Sequence, residues 1–197
     1  ERVSPLHLVV LAAGKGTRMK SRLPKVLHST AGLPLIEHVL RTAGRMSPAS
    51  IVIVVGHRAD DVRAALQSRS DIKFALQEPQ LGTGHALLQT EAALAGASGT
   101  VILLSGDVPL LRAETLQRLV DRHRGTGAAA TVLTAIAPDP TGYGRIERHG
   151  DRVTGIVEDK DASPAQRAIR EINSGIYAFD IAPLFGALRQ IGSANAQ

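Results

Sequence analysis

The chain has 197 residues, enough for one domain with a substantial core, and its 44% hydrophobic and 21% charged content is that of soluble globular proteins. It contains no cysteine, which excludes disulfides and thiolate metal sites, and no apolar run approaches the roughly 20 residues of a membrane-spanning helix. The formal charge of +5 favours anionic partners. Because only 3% of the residues are aromatic and could stack on bases, we expect small anions rather than nucleic acid.

The first predicted element is a buried strand over residues 8–11, an apolar run with the length and β-branched content of a strand. The strand leads into Ala12, Ala13 and Gly14, whose small side chains let a ligand approach the backbone closely. The loop that follows contains no acid, and its basic residues are Lys15, Arg18, Lys20, Arg22 and Lys25. A strand, a small-residue turn and a basic loop in this order predict a phosphate-binding site.

Two familiar phosphate loops do not fit this stretch. A Walker A loop requires Gly-x-x-x-x-Gly-Lys-Ser/Thr, and the sequence has no such string. The dinucleotide-binding fingerprint requires a third glycine where Met19 stands and an acid after the next strand, but Gly56 and His57 follow that strand. A tight turn with solvated charges is the alternative that carries no function.

Strands and helices alternate in the next part of the chain. Apolar residues at helical spacing predict a helix over residues 35–43, and residues 51–55 form a second buried strand. A short helix over residues 60–68 and a strand over residues 74–76 complete a doubly wound α/β pattern. Ligands of such sheets bind beyond the carboxyl ends of the strands, where the basic loop and Gln77 would lie.

A second glycine-rich turn, residues 81–85, precedes a predicted helix that begins at Ala86 and ends at Gly96. The next predicted strand, residues 101–104, leads into Ser105, Gly106 and Asp107. A lone Asp after a strand is more often a turn or capping residue than a ligand. Here the basic loop should lie beside it, and an acid among phosphate-binding cations is best explained as a ligand of a divalent metal.

The second half of the chain is predicted to form a lid on the same sheet, not an independent domain. Two short strands around His149, Gly150 and Asp151 indicate a hairpin. The remaining predicted elements are helices over residues 112–124, 162–170 and 181–191 and strands over residues 128–136 and 172–177.

Several motifs resemble those of sugar-phosphate nucleotidyltransferases. The first loop matches the signature Leu-Ala-Ala-Gly-x-Gly-Thr-Arg-Met followed by Leu-Pro-Lys. Further motifs recur in order at residues 24–28, 81–86 with Gln77, 106–110, 139–146, 155–158 and 171–175. Their order and spacing resemble the uridyltransferase domain of the bacterial bifunctional N-acetylglucosamine-1-phosphate uridyltransferase/glucosamine-1-phosphate acetyltransferase (GlmU) family. The resemblance covers essentially the whole chain.

The resemblance implies an α/β, Rossmann-like nucleotidyltransferase fold, with a mixed, mostly parallel sheet, helices on both faces and a β-hairpin lid. It implies one nucleotidyltransferase domain over residues 1–197 that is C-terminally truncated relative to the family. The acetyltransferase β-helix domain, through which full-length relatives form homotrimers, would be absent. A later Asn that serves the family as a second metal ligand would be absent as well.

The reaction that the resemblance implies is attack by N-acetylglucosamine 1-phosphate on the α-phosphorus of UTP, which forms UDP-N-acetylglucosamine and pyrophosphate. The nucleophile is already an anion, so no general base is required, and positioning and electrostatics must supply most of the catalysis. Mg²⁺ is the implied cofactor, and neither nucleic acid nor membrane is an implied partner. The implied setting is the cytoplasmic synthesis of cell-wall precursors for peptidoglycan and lipopolysaccharide, and hence of cell shape.

The same resemblance assigns roles to individual residues. Arg18 and Lys25 are the implied catalytic cations, with Lys15 assisting, and Asp107 is the implied catalytic Mg²⁺ ligand. The implied substrate-binding residues are Leu11, Ala12, Ala13, Gly14, Lys25, Gln77, Gly82, Thr83, Ser105, Gly106, Asp107, Gly144, Glu158 and Asn173. The first loop and Gln77 would hold the nucleotide, and the last three would hold the sugar. Taken singly, Glu158 and Asn173 are more often surface residues.

Two other functions are left open. The first is a nucleotidyltransferase for another sugar 1-phosphate or another base, which would share the first loop. Assays with a panel of nucleoside triphosphates would distinguish it from a uridyltransferase. A catalytically dead nucleotide-binding regulatory module would bind nucleotide without releasing pyrophosphate. The presence of Arg18, Lys25 and Asp107 argues against the second of these functions.

Overall fold

The structure, a computed structural model, describes residues 4–14 and 21–191. Within these residues the chain divides into two compact units. Unit 1 comprises the described residues up to Thr131 and from Ala178 onward, and unit 2 is Val132–Tyr177. The prediction that residues 1–197 act as one nucleotidyltransferase domain stays a prediction.

The elements alternate along the chain much as the sequence predicts. The strands are β1 (Leu6–Ala12), β2 (Ser29–Thr30), β3 (Leu33–Pro34), β4 (Ser50–Val55), β5 (Ile72–Leu76), β6 (Thr100–Ser105), β7 (Ala130–Ile136), β8 (Arg145–His149), β9 (Arg152–Val157) and β10 (Glu171–Asp180). The α-helices are α1 (Leu35–Gly44), α2 (Ala59–Ala65), α3 (Thr83–Leu88), α4 (Ala113–Thr126), α5 (Pro164–Arg167) and α6 (Ile181–Gln190).

Unit 1 is built on parallel strands in the order β5-β4-β1-β6. Val9 of β1 stands beside Val52 of β4 and Leu103 of β6, and all three side chains are buried. Consecutive side chains of a strand point to opposite faces, so burial of nearly every residue along β1, β4 and β6 means that both faces are covered there. This arrangement confirms the predicted parallel α/β core.

The helices form where apolar residues recur at helical spacing. The buried residues of α1 are Ile36, Val39, Leu40 and Ala43. They lie on one side of the helix, and α1 contacts α4, which buries Leu116 and Leu119. Each such aliphatic side chain contributes about 1.5–3 kcal/mol when it is fully removed from water. Across residues 4–14 and 21–191, no helix has the length and apolar content needed to cross a membrane.

Helix α3 differs from its prediction at both ends. It begins at Thr83, not at residue 86, because Gly82 takes a positive φ of 99° and turns the chain into the helix. The helix ends at Leu88, and the chain continues through turns. There the Thr90 hydroxyl donates to the Leu87 carbonyl at 2.7 Å, a local bond that competes with helical geometry.

Helix α2 is also shorter than predicted. It ends at Ala65, and Leu66 has φ of −107° and ψ of 10°, outside the helical region. The predicted helix over residues 60–68 is therefore wrong at its carboxyl end. Hydrophobic spacing continues through Leu66, which is buried, and the sequence pattern cannot separate a last helical turn from a buried turn residue.

Unit 2 is largely antiparallel. Strands β8 and β9 form the predicted hairpin, with a register irregularity between Glu147 and Arg148. Strand β8 also pairs antiparallel with β10, which extends beyond the predicted residues 172–177. Helix α5 is only four residues long, shorter than the predicted residues 162–170, and a capping box between Ser163 and Gln166 starts it.

Strand β1 lies at the switch point of the unit 1 sheet. The chain moves from β1 to β4 and β5 on one side, and later places β6 on the other side of β1. The loops that leave the carboxyl ends of β1 and β6 therefore diverge over a crevice, which is where open α/β sheets bind ligands. These loops carry residues 12–14 and 105–107.

Candidate active site

A cavity of about 350 Å³ lies at the carboxyl ends of β1, β5 and β6 in unit 1. Its lining residues are Leu11, Ala12, Ala13, Gly14, Lys25, Val26, Gln77, Gln80, Gly82, Thr83, Ala86, Ser105 and Asp107. Apart from Val26, Gln80 and Ala86, all of them belong to the set that the sequence resemblance assigns to substrate binding. The structure thus brings together predicted residues from well-separated segments of unit 1.

The small residues after β1 form one wall of the cavity. The Ala13 carbonyl accepts hydrogen bonds from Gln80 Nε2 at 2.6 Å and from the His57 amide at 3.3 Å. A Cβ added at Gly56 would lie only 2.9 Å from Ala13 Cβ, so a larger residue at either position would push the two loops apart. Small side chains therefore let these loops pack and leave the main chain open to a ligand.

Lys25 and Asp107 form an ion pair in the cavity. Lys25 Nζ lies 2.5 Å from Asp107 Oδ2, and 46% and 21% of the two side chains are exposed. Lys25 begins a 3₁₀ turn, Lys25–Leu27, whose other residues are buried and hold the turn against the core. Asp107 also accepts a hydrogen bond from Ser105 Oγ at 2.6 Å. A cation and a carboxylate from distant parts of the chain therefore share one hollow.

The surroundings of Asp107 keep its carboxylate ionised. Burial by itself raises the pKa of Asp107, but the hydrogen bonds from Lys25 and Ser105 and the positive charge of Lys25 outweigh burial. The pKa therefore lies below its usual range. An ionised carboxylate is the form that can bind a divalent cation.

Asp107 offers a single carboxylate to a metal. Among residues 4–14 and 21–191, no three histidine, aspartate or glutamate side chains lie close enough to hold a metal ion. A single carboxylate fits Mg²⁺, which commonly takes one or two carboxylates and completes its octahedral shell with waters and substrate phosphates. The cavity residues are therefore compatible with a metal that arrives together with a nucleotide.

Gln77 is held firmly beneath the cavity. The residue is 4% exposed, and its backbone amide donates to the Val55 carbonyl at 2.8 Å. Side-chain Nε2 donates to the Gly82 carbonyl at 2.9 Å and lies 3.1 Å from His85 Nδ1. A buried amide with these partners has a fixed orientation, as a residue that reads a base requires.

Gly106 packs the loop after β6 against the end of β1. Its amide donates to the Leu11 carbonyl at 2.9 Å, and an added Cβ would lie 3.1 Å from both that carbonyl oxygen and Val26 Cγ1. The missing side chain therefore sets how closely the two loops approach. A contact of Gly106 with substrate stays a prediction.

Another group of predicted residues comes together in unit 2. A Cβ added at Gly144 would lie 3.3 Å from Glu158 Oε1 and 3.6 Å from Asn173 Cβ. The Asn173 side chain donates to the Tyr177 hydroxyl at 2.7 Å and accepts from the Gly175 amide at 2.9 Å. Burial raises the pKa of Tyr177, the hydrogen bond from Asn173 opposes this, and the charge of Glu158 adds to it. Gly144, Glu158 and Asn173 thus form one cluster.

Two predicted cations are untested, and the cavity has three lining residues that were not predicted. Arg18 and Lys15 lie outside the described residues, and their roles stay predictions. The structure adds Gln80, Val26 and Ala86 to the cavity. Gln80 carries a sequence signal, because a polar amide between a strand end and a glycine turn is typical of a binding loop. The two apolar residues carry none, since their pattern is that of core positions.

The profile of the MobA-like NTP transferase domain matches residues 8–163, a span that contains the whole cavity lining. The chain belongs to the MobA-like NTP transferase family. It is therefore a nucleotidyltransferase-type domain, and the cavity at the switch point is the candidate active site of that domain.

Curated relatives of this family member are bifunctional proteins. GlmU of Brevibacillus brevis is 55% identical over 196 residues, which cover 99% of this chain and 42% of the relative. GlmU of Syntrophotalea carbinolica is 56% identical over 192 residues, which cover 98% of this chain and 41% of the relative. The chain thus spans about two fifths of the length of these relatives. The predicted resemblance to the GlmU family is confirmed.

A solved structure supports the fold in the same way. UDP-glucose pyrophosphorylase, in complex with UDP-glucose, superposes with a TM-score of 0.77 at 18% identity, covering 97% of this chain and 82% of that chain. At this identity the likeness concerns the fold, and it confirms the predicted α/β nucleotidyltransferase architecture.

Proposed function

We propose that this chain transfers the uridylyl group of UTP to N-acetylglucosamine 1-phosphate, forming UDP-N-acetylglucosamine and pyrophosphate. The observation that carries the proposal is the convergence of the turn after β1, Gln77 and the Lys25–Asp107 pair on one cavity at a sheet switch point. That combination suits a ligand with a base at one end and phosphates at the other. The resemblance to the GlmU family, whose relatives are 55% and 56% identical, supports uridine as the nucleoside and N-acetylglucosamine as the sugar.

The proposed step is an in-line substitution at the α-phosphorus. An oxygen of the sugar phosphate forms the new bond to phosphorus, and the bond to the oxygen that bridges to the β-phosphate breaks, so that pyrophosphate leaves. The attacking oxygen is already an anion, so no proton has to be removed. The protein has to bring two polyanions together and neutralise charge on the leaving group. Lys25 would neutralise the charge of the sugar phosphate. Arg18, outside the described residues, would neutralise the charge of the β- and γ-phosphates.

Asp107 would hold Mg²⁺, which when bound neutralises phosphate charge as a Lewis acid. Ser105 would keep the carboxylate oriented through its 2.6 Å hydrogen bond while Lys25 moves from Asp107 to a phosphate of the substrate. The low pKa of Asp107 supports this role, because the carboxylate is charged at any physiological pH.

Sugar recognition is assigned in this proposal to the unit 2 cluster. Glu158 would accept hydrogen bonds from sugar hydroxyls, and Asn173 would use its amide group, which can both donate and accept. Gly144 keeps the space beside them open, since any side chain there would approach Glu158. The wider setting proposed from the GlmU relatives is cytoplasmic synthesis of envelope precursors for peptidoglycan and lipopolysaccharide, in a homotrimer formed through a further domain.

A pyrophosphate-release assay with UTP, N-acetylglucosamine 1-phosphate and Mg²⁺ tests the proposal. We expect release that depends on all three components and stops when the metal is chelated. Faster release with another sugar 1-phosphate or another nucleoside triphosphate would reassign the substrate. Nucleotide binding with no release under any combination would identify a non-catalytic nucleotide-binding module and contradict the proposal.

A further inference from the structure

The amide group of Gln77 is held by two acceptors. Nε2 lies 2.9 Å from the Gly82 carbonyl oxygen and 3.1 Å from His85 Nδ1. A carbonyl oxygen only accepts, so the amide nitrogen must stand at this position. An amide nitrogen only donates, so His85 Nδ1 must accept, which leaves the imidazole proton on Nε2.

These contacts decide what Gln77 offers to a ligand. Both hydrogens of Nε2 are engaged, and Gln77 lines the cavity, so carbonyl oxygen Oε1 is the polar atom that remains. Within residues 4–14 and 21–191 no side chain or amide donates to Oε1, and the atom is not sealed from solvent. Gln77 therefore faces a ligand as a hydrogen-bond acceptor.

We propose that His85 is a positioning residue that makes Gln77 an acceptor only, and that this contact selects bases with an imide N–H. The inference rests on the proposed function, in which uracil occupies the cavity. Uracil carries a hydrogen on N3 and can donate it to Oε1. Cytosine has a lone pair at N3, which would face the lone pairs of Oε1, so a cytosine nucleotide is rejected. Discrimination of this kind needs a fixed amide, since a free amide could rotate and donate instead.

The start of α3 supplies both acceptors. Gly82 precedes the helix with φ of 99°, a conformation that a larger residue would strain, and this conformation directs its carbonyl toward Gln77. His85 lies in the first turn of α3, and its own carbonyl accepts from the Gln89 amide at 3.2 Å. Helix α3 contacts α6, where Leu188 lies against Gly84. The imidazole is therefore carried on a packed element.

A binding measurement isolates this role because UDP and CDP share ribose and phosphates. The quantity to compare is the ratio of the dissociation constants of CDP and UDP, in which phosphate contacts cancel. We expect His85→Leu, which removes the acceptor, to lower this ratio by about tenfold, the value of one hydrogen bond. We expect His85→Asn, whose amide oxygen stands near the position of Nδ1, to keep the ratio within threefold of wild type. A histidine that served only for packing would not be replaced successfully by a residue that shares just its acceptor atom.

His38→Leu is the matched control. His38 lies early in α1, donates to the Thr30 carbonyl at 2.8 Å, and takes no part in the cavity lining. Its substitution should leave the ratio unchanged. If folded His85→Leu has the same ratio as the wild-type protein, and the wild-type protein prefers UDP, the role of His85 is overturned while the proposed function stands. Failure of the wild-type protein to bind either diphosphate overturns the proposed function, and this inference falls with it.

A measurement on the wild-type protein covers the case in which His85→Leu does not fold. The ¹⁵N chemical shift of His85 Nδ1 reports whether that nitrogen carries a proton. We expect the shift of an unprotonated imidazole nitrogen, together with a coupling across the hydrogen bond to Gln77 Nε2. A protonated Nδ1 at neutral pH would overturn the proposal, because it would then donate to Oε1 and turn the amide of Gln77 around.

Discussion

The two units present their candidate residues in different ways. In unit 1 one part of the cavity wall is made of main chain and small side chains that follow buried parallel strands, at Ala12, Ala13 and Gly14 and at Ser105, with Asp107 beside them. In unit 2 the cluster is made of longer polar side chains on antiparallel strands, with Asn173 inside β10 and Glu158 directly after β9.

The two units encode their candidate residues in different features of the fold. The unit 1 cavity follows from topology, since loops after β1 and β6 must diverge at the switch point. The unit 2 cluster depends on cross-strand contacts, such as the 2.9 Å hydrogen bond from the backbone amide of Asn173 to the Gly144 carbonyl. We therefore expect substitutions in unit 1 to act on nucleotide binding, on the phosphate of the sugar substrate and on turnover, and substitutions in unit 2 to act on recognition of the sugar ring.

The largest effect is expected for Lys25→Ala. Loss of a cation that neutralises phosphate charge should raise the barrier by about 3 kcal/mol, as for other groups that stabilise developing charge. The free energy of unfolding should fall by less than about 1 kcal/mol, because nearly half of the Lys25 side chain is exposed and solvent screens the ion pair. Steady-state turnover measures the effect, and Lys73→Ala, on exposed strand residue Lys73, is the control. Turnover within threefold of wild type would refute the role of Lys25.

The next effect is structural and concerns the packing of the two loops in unit 1. Gly56→Ala should lower the free energy of unfolding by about 1–3 kcal/mol and weaken UTP binding, because its Cβ would collide with Ala13 and Gln80. Gly44→Ala is the matched control, because Gly44 ends α1 with open space around it, and this change should be neutral or about 0.5 kcal/mol stabilising. Denaturant unfolding separates them, and equal stability of the two variants would contradict the packing account.

Asp107→Asn should lower turnover at least tenfold, equivalent to about 1.4 kcal/mol in the barrier, and shift the Mg²⁺ titration to higher concentration.

The substitution of Asp107 by Asn also alters the pH dependence of stability. Because the folded pKa of Asp107 is lowered, its contribution is fully present above the unfolded value of about 3.9 and is lost as the pH falls through the folded pKa. The stability gap between wild type and variant should therefore close in acid. An unchanged metal titration would remove Asp107 from the site.

The smallest effect is expected for Asn173→Ala in unit 2. Loss of the hydrogen bond that its side-chain amide is proposed to make with the sugar should raise the KM for the sugar phosphate by a factor equivalent to about 1 kcal/mol, while the KM for UTP stays near wild type. Ser163→Ala, at the start of the short helix α5 in the same unit, is the control and should leave both KM values unchanged. An equal rise in both KM values would break the proposed division between the units.

Much of unit 1 could be predicted because its information is local. The apolar run before Ala12 and the run before Ser105 specify buried strands, and the small residues after them mark where a ligand reaches the backbone. The doubly wound order then brings the loops together without any further input. The proximity of Lys25 and Asp107 follows from that order.

What the sequence could not supply depends on contacts between distant residues. The early start of α3 follows from the conformation of Gly82, and the partnership of Gln77 with His85 is created by that start. A histidine after a glycine turn carries no signal of which ring nitrogen accepts. The grouping of Gly144 with Asn173 likewise arises from strand pairing, which local patterning does not specify.

The claim that the nucleotide binds in the cavity at the carboxyl ends of β1, β5 and β6 is tested most directly by amide chemical-shift mapping as UTP is added. We predict the largest shifts at residues 11–14, 82–83, 105 and 107, which line the cavity. Another cavity, of about 380 Å³ at the amino end of β1 and lined in part by Leu6 and Arg124, serves as an internal control. Shifts confined to that cavity, with none at the carboxyl ends of β1 and β6, would contradict the account.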